Sequence, residues 1–376
     1  MDPFDDLLSQ FLRKIEEEEE KMHTANLMVV GKTGVGKSTL INSVFREDLA
    51  DTGIGTPVTQ HLRKITKAGV PLTIYDSKGL ELDREVQQTI KKEILDEIDL
   101  LIQKNNKDHF IHMIWYCINS QSRRIEDFEI DWITTFAAKI PVIVVLTQSF
   151  GKDYKTLEKH IRDLNLPLKG VRPVLAHELE ISDEYKLPSF GLKELVDLTF
   201  DCLPEAAHAA FINAQKINVE RKLEAANRAV LPFVTAAFAE GFNPLPFADA
   251  ALLVPTQLAM LARLTVIFGV PLKKSILTAI ITGVLGTGGA TAIGRTIVAN
   301  LFKLLPGVGT AAGGVISGTT AATITAAFGF AYNQAMVKVV KRFYAGESIT
   351  EKEMVALMRQ TFHEQMKKGI DREQLQ

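Results

Sequence analysis

The sequence predicts two folded regions, an α/β domain over residues 25–203 and an all-helical domain over residues 204–346. In the first region, apolar runs typical of strands alternate with amphipathic helical patterns. In the second region the strand signal fades, and Ala, Gly and Leu dominate with interruptions at Pro and Gly. A chain of 376 residues is long enough for two domains with separate cores.

Composition narrows the class of protein. A net charge of −2 and a charged fraction of 23% fit an ordinary folded protein, and we expect no nucleic-acid partner. Cys117 and Cys202 lie in apolar runs and indicate core thiols in a reducing compartment. The first residues, MDPFDD, lack the basic and apolar regions of a secretory signal, so we expect a cytoplasmic location.

Both ends of the chain show helical apolar stripes. Residues 1–24 predict a helix, with Pro3 in its first turn and an apolar face made by Phe4, Leu7, Leu8, Phe11, Leu12 and Ile15. Residues 347–376 predict a charged amphipathic tail helix with a stripe of Met354, Leu357, Met358 and Phe362. The N-terminal face must be buried, and we expect it to pack on the helical domain.

The strongest motif lies in "LMVVGKTGVGKSTLINSVF", where an apolar strand leads into Gly31-x-x-x-x-Gly36-Lys37-Ser38 and then a helix. This is a P-loop with the required strand before it and helix after it. Its backbone N–H groups surround phosphates, Lys37 reaches the β- and γ-phosphates, and the Ser38 hydroxyl binds magnesium. The expected nucleotide-binding residues are Gly31, Thr33, Gly34, Val35, Gly36, Lys37, Ser38 and Thr39.

A second strand, in "PLTIYDSKG", ends in Asp76-x-x-Gly79. We expect Asp76 to hold magnesium through water and the Gly79 N–H to meet the γ-phosphate. The loop "REDLADTGIGTPVTQHLRKI" offers Thr59, with Thr56 as the alternative, to close over the metal. The predicted magnesium site is therefore Ser38, Thr59 and Asp76, and the predicted catalytic set is Lys37, Thr59 and Gly79.

In this order the motifs resemble the translation-factor-related GTPases, near the Era-like and dynamin-like branches, over residues 25–203. The resemblance implies GTP/GDP and Mg²⁺. These families read guanine with Asn/Thr-Lys-x-Asp, whereas this chain has Thr147-Gln148-Ser149-Phe150, and Asp153 follows three positions late. The resemblance implies base contacts from Thr147, Gln148 and the Ala176 N–H. An adenine-binding or base-indifferent site remains the alternative.

Hydrolysis is expected to be slow. Leu80 follows Gly79 where Ras-like GTPases have the glutamine that orients water. The Era-like and dynamin-like families share such replacements and place the water with backbone groups, a monovalent cation or a partner subunit. The resemblance therefore implies a nucleotide-dependent homodimer or larger homo-oligomer.

The helical region has its own resemblance, on "GFNPLPFAD" at 241–249, "PTQLAM" at 255–260 and "PGVGT" at 306–310. It resembles the poorly characterised helical domain that follows Era-like GTPase domains in bacterial proteins, some of them linked to the inner membrane. The whole layout is similar to that of the immunity-related GTPases. In those proteins helices from both chain ends form one bundle.

Residues 276–294 and 304–337 are apolar enough to raise the question of membrane spans. Their Ala, Gly and Thr insert weakly, and Arg295 and Lys303 lie between them, which favours a bundle that sits on a membrane. We expect nucleotide state to control membrane association or self-assembly, peripherally on the inner face of a membrane. The alternatives are a soluble GTP-dependent interaction switch and an integral membrane GTPase with two spanning helices.

Overall fold

The computed structural model describes residues 3–46, 49–52, 54–77, 84–104, 106, 109–240, 249–270, 272, 276–277 and 318–373. The chain divides into two compact units, Met22–Asn218 and the combination of Met1–Lys21 with Val219–Gln376. The first unit contains the sheet and the second is helical, with chain from both ends of the sequence. The predicted fold class is confirmed.

The described elements are as follows. The strands are β1 (Ala25–Gly31), β2 (Ile54–Pro57), β3 (Leu62–Lys67), β4 (Val70–Ser77), β5 (Met113–Asn119), β6 (Val142–Thr147), β7 (Gly170–Pro173), β8 (Leu179–Ser182) and β9 (Tyr185–Leu187). The helices are α1 (Pro3–Glu20), α2 (Lys37–Val44), α3 (Leu49–Thr52), α4 (Arg84–Gln103), α5 (Asp127–Ala137), α6 (Asp153–Asp163), α7 (Leu192–Cys202), α8 (Glu205–Ala214), α9 (Val219–Glu240), α10 (Asp249–Phe268), α11 (Gly318–Tyr344) and α12 (Glu351–Glu373).

One seven-stranded sheet organises the α/β unit, in the order β2-β3-β4-β1-β5-β6-β7. The strands from β4 to β7 run parallel, and β2 and β3 join antiparallel at one edge. Every residue of β1 and β6 is buried, as expected where helices cover both faces of a parallel sheet. The carboxyl ends of β1 and β6 and the end of β4 share one edge, where ligands bind in such sheets.

Helix α8 lies in the α/β unit, which extends to Asn218, whereas the sequence placed the domain boundary at residue 204. Phe211 is fully buried and packs edge-on against Phe45, which in turn stacks on Trp115 of β5. The backbone also ties α8 to the end of α2, because Arg46 N donates to Ala214 O at 2.8 Å. The Ala-rich composition of α8 resembles the helical region, but its small side chains let it lie close to the sheet.

Within the described residues, the helical unit contains α1 and α9 to α12. Leu8 and Phe11 of α1 are buried in the same core as Phe268 of α10 and Tyr332 of α11. The core also holds a fully buried lysine, Lys222, whose Nζ donates to Phe268 O at 2.9 Å. The apolar stripe of the N-terminal helix is thus buried against helices from the other end of the chain.

The tail helix α12 joins this core through Met354, Met358 and Phe362. Its start is a reciprocal cap, because Thr350 N donates to Glu353 Oε2 at 2.8 Å and Glu353 N donates to Thr350 Oγ1 at 3.3 Å. The hydrogen bonds from the Thr350 backbone and hydroxyl, joined by Arg342, lower the pKa of Glu353 to about 2.

Among the described residues, no helix is long and apolar enough to cross a bilayer. Helix α11, which contains the end of the second apolar segment, buries Phe328, Ala331 and Tyr332 in the protein core. Most of 276–294, all of 304–317 and the motifs at 241–248 and 306–310 lie outside the described residues. The predictions on those stretches stay predictions.

Candidate functional site

The P-loop occupies residues 31–36, between the end of β1 and the start of α2. Gly34 has φ +76 and Gly36 has φ +94, a backbone region that side chains rarely adopt. At Gly31 the constraint is space, because a Cβ would lie 2.4 Å from Cys117 O of β5. The glycine spacing read from the sequence is therefore required by the geometry of the loop.

Lys37 spans the mouth of this loop. Its Nζ donates to Gly31 O at 2.8 Å and to Lys32 O at 3.1 Å. Burial lowers the pKa of the ammonium, with the nearby charge of Asp76 acting in the opposite direction. A cation held against two loop carbonyls is positioned to exchange them for phosphate oxygens.

The other predicted nucleotide-binding side chains are either buried or exposed to solvent. Val35 is buried and its carbonyl accepts a hydrogen bond from the Thr147 hydroxyl at 2.5 Å, which fixes the loop to the end of β6. The remaining predicted side chains are exposed, namely Thr33, Ser38 and Thr39. The Ser38 hydroxyl is thus available to a ligand in the first turn of α2.

Asp76 lies near the end of β4, paired in register with Val29 of β1 and Arg63 of β3. Arg63 donates from Nε at 3.0 Å and from Nη2 at 2.9 Å, both to Asp76 Oδ2. The second oxygen, Oδ1, is buried without a partner in the described structure. Burial raises the pKa of this carboxyl, opposed by the charges of Arg63 and Lys37.

The donor set fits the magnesium that the P-loop implies. A buried carboxylate oxygen without a partner is costly unless a ligand supplies one. Mg²⁺ prefers oxygen ligands and retains water, so Asp76 through water and Ser38 directly are suitable. Gly79, predicted at the γ-phosphate, lies outside the described residues.

Thr59 is engaged elsewhere in this structure. It lies in the turn between β2 and β3, and its hydroxyl donates to Glu93 Oε2 of α4 at 2.5 Å. His61 Nδ1 lies 3.2 Å from Glu93 Oε1. Partial burial opposes ionisation of Glu93, yet the hydrogen bonds from Thr59 and His61 hold its pKa below the usual value. A metal-binding role for Thr59 requires this contact to break. The alternative, Thr56, is in β2 opposite Lys64.

The residues predicted to contact the base make other contacts than the Asn/Thr-Lys-x-Asp motif would. Gln148 adopts φ +51, is exposed, and its backbone carbonyl accepts from Ser120 Oγ at 2.8 Å. Asp153 is at the start of α6, and its carboxylate pairs with Arg123 at 2.7 Å. Ala176 is partly buried beside His177, whose Nε2 lies 3.3 Å from Ser43 Oγ of α2.

Sequence reasoning missed a second anchor of the P-loop. Lys32 Nζ lies 2.9 Å from Glu126 Oε1 and 3.7 Å from Glu129 Oε2, and 5.0 Å from the centre of the Phe128 ring. Glu126 and Glu129 form the capping box of α5. A box that begins with Glu lacks the Ser or Thr that marks this motif in a sequence, and its contact with the loop depends on how the sheet brings residues 32 and 126 together.

Comparison with known proteins gives the class of this unit. Residues 26–148 match the family model described as 50S ribosome-binding GTPase. The chain is 29% identical over 137 residues to Translocase of chloroplast 108 of Physcomitrium patens, covering 36% of this chain and 12% of that protein. It is 24% identical over 220 residues to Septin-9 of Homo sapiens, covering 51% of this chain and 36% of that protein.

Among solved structures, a probable GTP-binding protein engB is 19% identical and covers 47% of this chain and 98% of that chain, with a TM-score of 0.34. The chain matches only 12%, 13% and 11% of the length of three chloroplast translocases. The stretch that matches the family model, residues 26–148, includes the P-loop, Asp76 and Gln148. This stretch is similar to a P-loop GTPase domain, and the family description implies guanine nucleotide as its ligand.

Proposed function

We propose that this protein binds GTP and GDP with Mg²⁺, hydrolyses GTP slowly, and couples its nucleotide state to membrane association or self-assembly through the helical unit. The observation that supports it best is the convergence at one sheet edge of three groups. These are the glycine loop, the inward-facing Lys37 ammonium and the buried Asp76 carboxylate with its unpaired oxygen. This arrangement suits a phosphate chain with a divalent cation.

The chain's own residues would act mainly by binding and positioning. Backbone N–H groups of the loop and the first turn of α2 receive the phosphates, and Lys37 moves from the carbonyls of Gly31 and Lys32 to the β- and γ-phosphate oxygens. Ser38, Asp76 and, after release from Glu93, Thr59 hold the metal site. When bound, Mg²⁺ neutralises charge on the phosphate oxygens.

The slow rate follows from the sequence beyond Asp76. Leu80 offers no polar group to orient the attacking water, so we propose that hydrolysis accelerates when copies associate. Phosphate release per molecule should then rise with protein concentration, and a non-hydrolysable GTP analogue should promote a homodimer or larger homo-oligomer in sedimentation velocity. A specific rate independent of concentration, with a monomer in every nucleotide state, would contradict this part.

Base selectivity is testable by direct titration. Asp153 is paired with Arg123, so no free carboxylate is positioned to read guanine in the described loop. We expect GTP to bind more tightly than ATP, but by less than in GTPases with the Asn/Thr-Lys-x-Asp motif, because one polar contact is lacking. Equal affinities would favour the base-indifferent alternative. Loss of binding in Lys37→Ala is the control for the phosphate site.

The candidate membrane-contacting surface is one face of α9. Leu231 is 57% exposed and Phe238 is 40% exposed on α9, and their spacing of seven places them on one helix face. Large apolar side chains that are partly exposed on one helix face can contribute to an interaction surface. We propose that this face contacts lipid while the other side of α9 remains in the helical core.

Liposome co-sedimentation with GDP and with a non-hydrolysable GTP analogue tests this surface. We expect more pelleting with the analogue, and loss of pelleting in Leu231→Ser/Phe238→Ser. The matched control is Glu180→Ala/Lys186→Ala, which removes an exposed ion pair of the α/β unit. Absence of pelleting in any state would favour the soluble interaction switch, and a requirement for detergent would favour the integral membrane alternative.

The proposed location is cytoplasmic, peripheral on the inner face of a membrane. The ribosome named in the family description is not part of the proposal. A net charge of −2 provides little electrostatic attraction for RNA, so we expect no nucleic-acid partner.

A further inference from the structure

Arg63 and Asp76 face each other directly across the antiparallel strands β3 and β4. Both donors of the guanidinium bind the same carboxylate oxygen, at 3.0 Å from Nε and 2.9 Å from Nη2. A guanidinium fork can engage both oxygens of a carboxylate, so this arrangement leaves one oxygen open. That oxygen, Oδ1, is buried and has no partner in the described structure.

The two partners differ in how firmly they are held. The Arg63 side chain is 44% exposed, whereas the Asp76 side chain is 9% exposed. The carboxylate is fixed by the sheet, and the guanidinium reaches it from the solvent side. Arg63 is therefore able to shift without disturbing the core.

We propose that Arg63 is a positioning residue that acts as a resident counter-ion for Asp76 and weakens the site's hold on Mg²⁺. The proposal rests on the proposed function, because it assigns the open oxygen of Asp76 to the hydrated metal. Without the metal, Arg63 and Lys37 compensate the buried carboxylate. With the metal, the charge of Arg63 repels Mg²⁺, and this repulsion limits how tightly the metal and its nucleotide are retained.

Arginine suits this role because it does not lose its proton under working conditions. The repulsion is only partly screened, since one partner is buried and the other half-exposed. A plain cross-strand ion pair is the competing explanation, in which Arg63 only stabilises the sheet. The two explanations differ in what they predict for magnesium.

The test is the Mg²⁺ dependence of the release of fluorescent mant-GDP, measured in EDTA-buffered Mg²⁺. In Arg63→Gln we expect the Mg²⁺ concentration that half-maximally slows release to fall about fivefold, the size of a partly exposed charge pair. Arg63→Lys keeps the charge and should stay within about twofold of the wild type on the same basis. Lys64→Gln removes a charge from the opposite face of the same strand and is the matched control.

Thermal unfolding of the nucleotide-free variants runs in parallel. An unchanged or raised Mg²⁺ requirement in folded Arg63→Gln overturns the proposal, whatever its stability. If Arg63→Gln does not fold, Arg63→Met keeps the aliphatic stem for packing, and failure of both to fold shows a structural role only. If mant-GDP release from the wild type does not depend on Mg²⁺, the metal is removed from the proposed function. This result is distinguishable from failure of the Arg63 proposal, because it is obtained before any variant is compared.

Discussion

Gly329 of α11 lies at a close crossing with α9 and α10, and its replacement by alanine tests that packing. A Cβ at this position of α11 would lie 2.8 Å from both Cγ atoms of Val230 in α9 and 2.9 Å from Met260 Sδ in α10. Both neighbours are fully buried. The methyl group would therefore enter a point where three helices meet.

The magnitude is a balance of two opposing effects. Non-bonded carbon atoms pack about 3.5–4.0 Å apart, so the contacts with Val230 must open by roughly 0.7–1.2 Å. Met260 can adjust because its side chain is flexible, but Val230 is stiff at χ1. Overpacking costs about 1–3 kcal/mol, and alanine gains about 1 kcal/mol over glycine in a helix. The net loss in the free energy of unfolding is about 1 kcal/mol.

The two units can be followed separately because both tryptophans, Trp115 and Trp132, are in the α/β unit. Gly329→Ala should lower the helical transition, seen by circular dichroism at 222 nm, by about 2–4 °C. The tryptophan transition should stay in place. Lys338 is exposed on the same helix, α11. The difference in unfolding free energy between Lys338→Ala and Lys338→Gly therefore measures the helix-propensity gain of alanine over glycine without a packing effect.

A double-mutant cycle with Val230→Ala checks the cause. Removing the two methyl groups should restore space for the new Cβ, so the two changes should couple favourably by about 1 kcal/mol. If Gly329→Ala raises stability by the full propensity gain measured at Lys338, the close crossing does not exist. The reasoning about this helix packing would then be wrong.

Four further changes probe the nucleotide site and the tail helix. Lys37→Ala should abolish nucleotide binding in calorimetry and leave thermal unfolding unchanged. Wild-type affinity in this variant would contradict the phosphate site. Ser38→Ala should lose only the Mg²⁺ dependence of nucleotide binding. Glu93→Ala removes the acceptor of the Thr59 hydroxyl and should raise the affinity for a GTP analogue relative to GDP by about threefold, because the lost hydrogen bond is partly replaced by water. An unchanged ratio would count against the Thr59 role. Glu353→Gln should lower stability near neutral pH. The depressed pKa of Glu353 stabilises the fold above the unfolded value of about 4.3, and this contribution disappears as the pH falls toward the folded value of about 2. Denaturant melts from pH 7 to pH 2 should show the stability difference between Glu353→Gln and the wild type vanish at the acid end.

Local chemistry determined the parts of this protein that the sequence could predict. The P-loop is a strand, a glycine turn and a helix start in one continuous stretch, and its conformations depend on nearby residues. Asp76 was found in the same way, at the end of an apolar strand. The apolar stripe of α1 showed that the helix needed a partner, because its spacing fixes which face is buried.

Only the tertiary structure decided which groups meet. Arg63 faces Asp76 because of the β3–β4 register, and Thr59 meets Glu93 because α4 packs beside the β2–β3 turn. The assignment of α8 to the sheet also depended on packing. Such contacts join residues far apart in the chain, and their free energies depend on burial and on competing partners. A spacing pattern encodes neither of these, so side chains that the sequence presents as free were found already engaged.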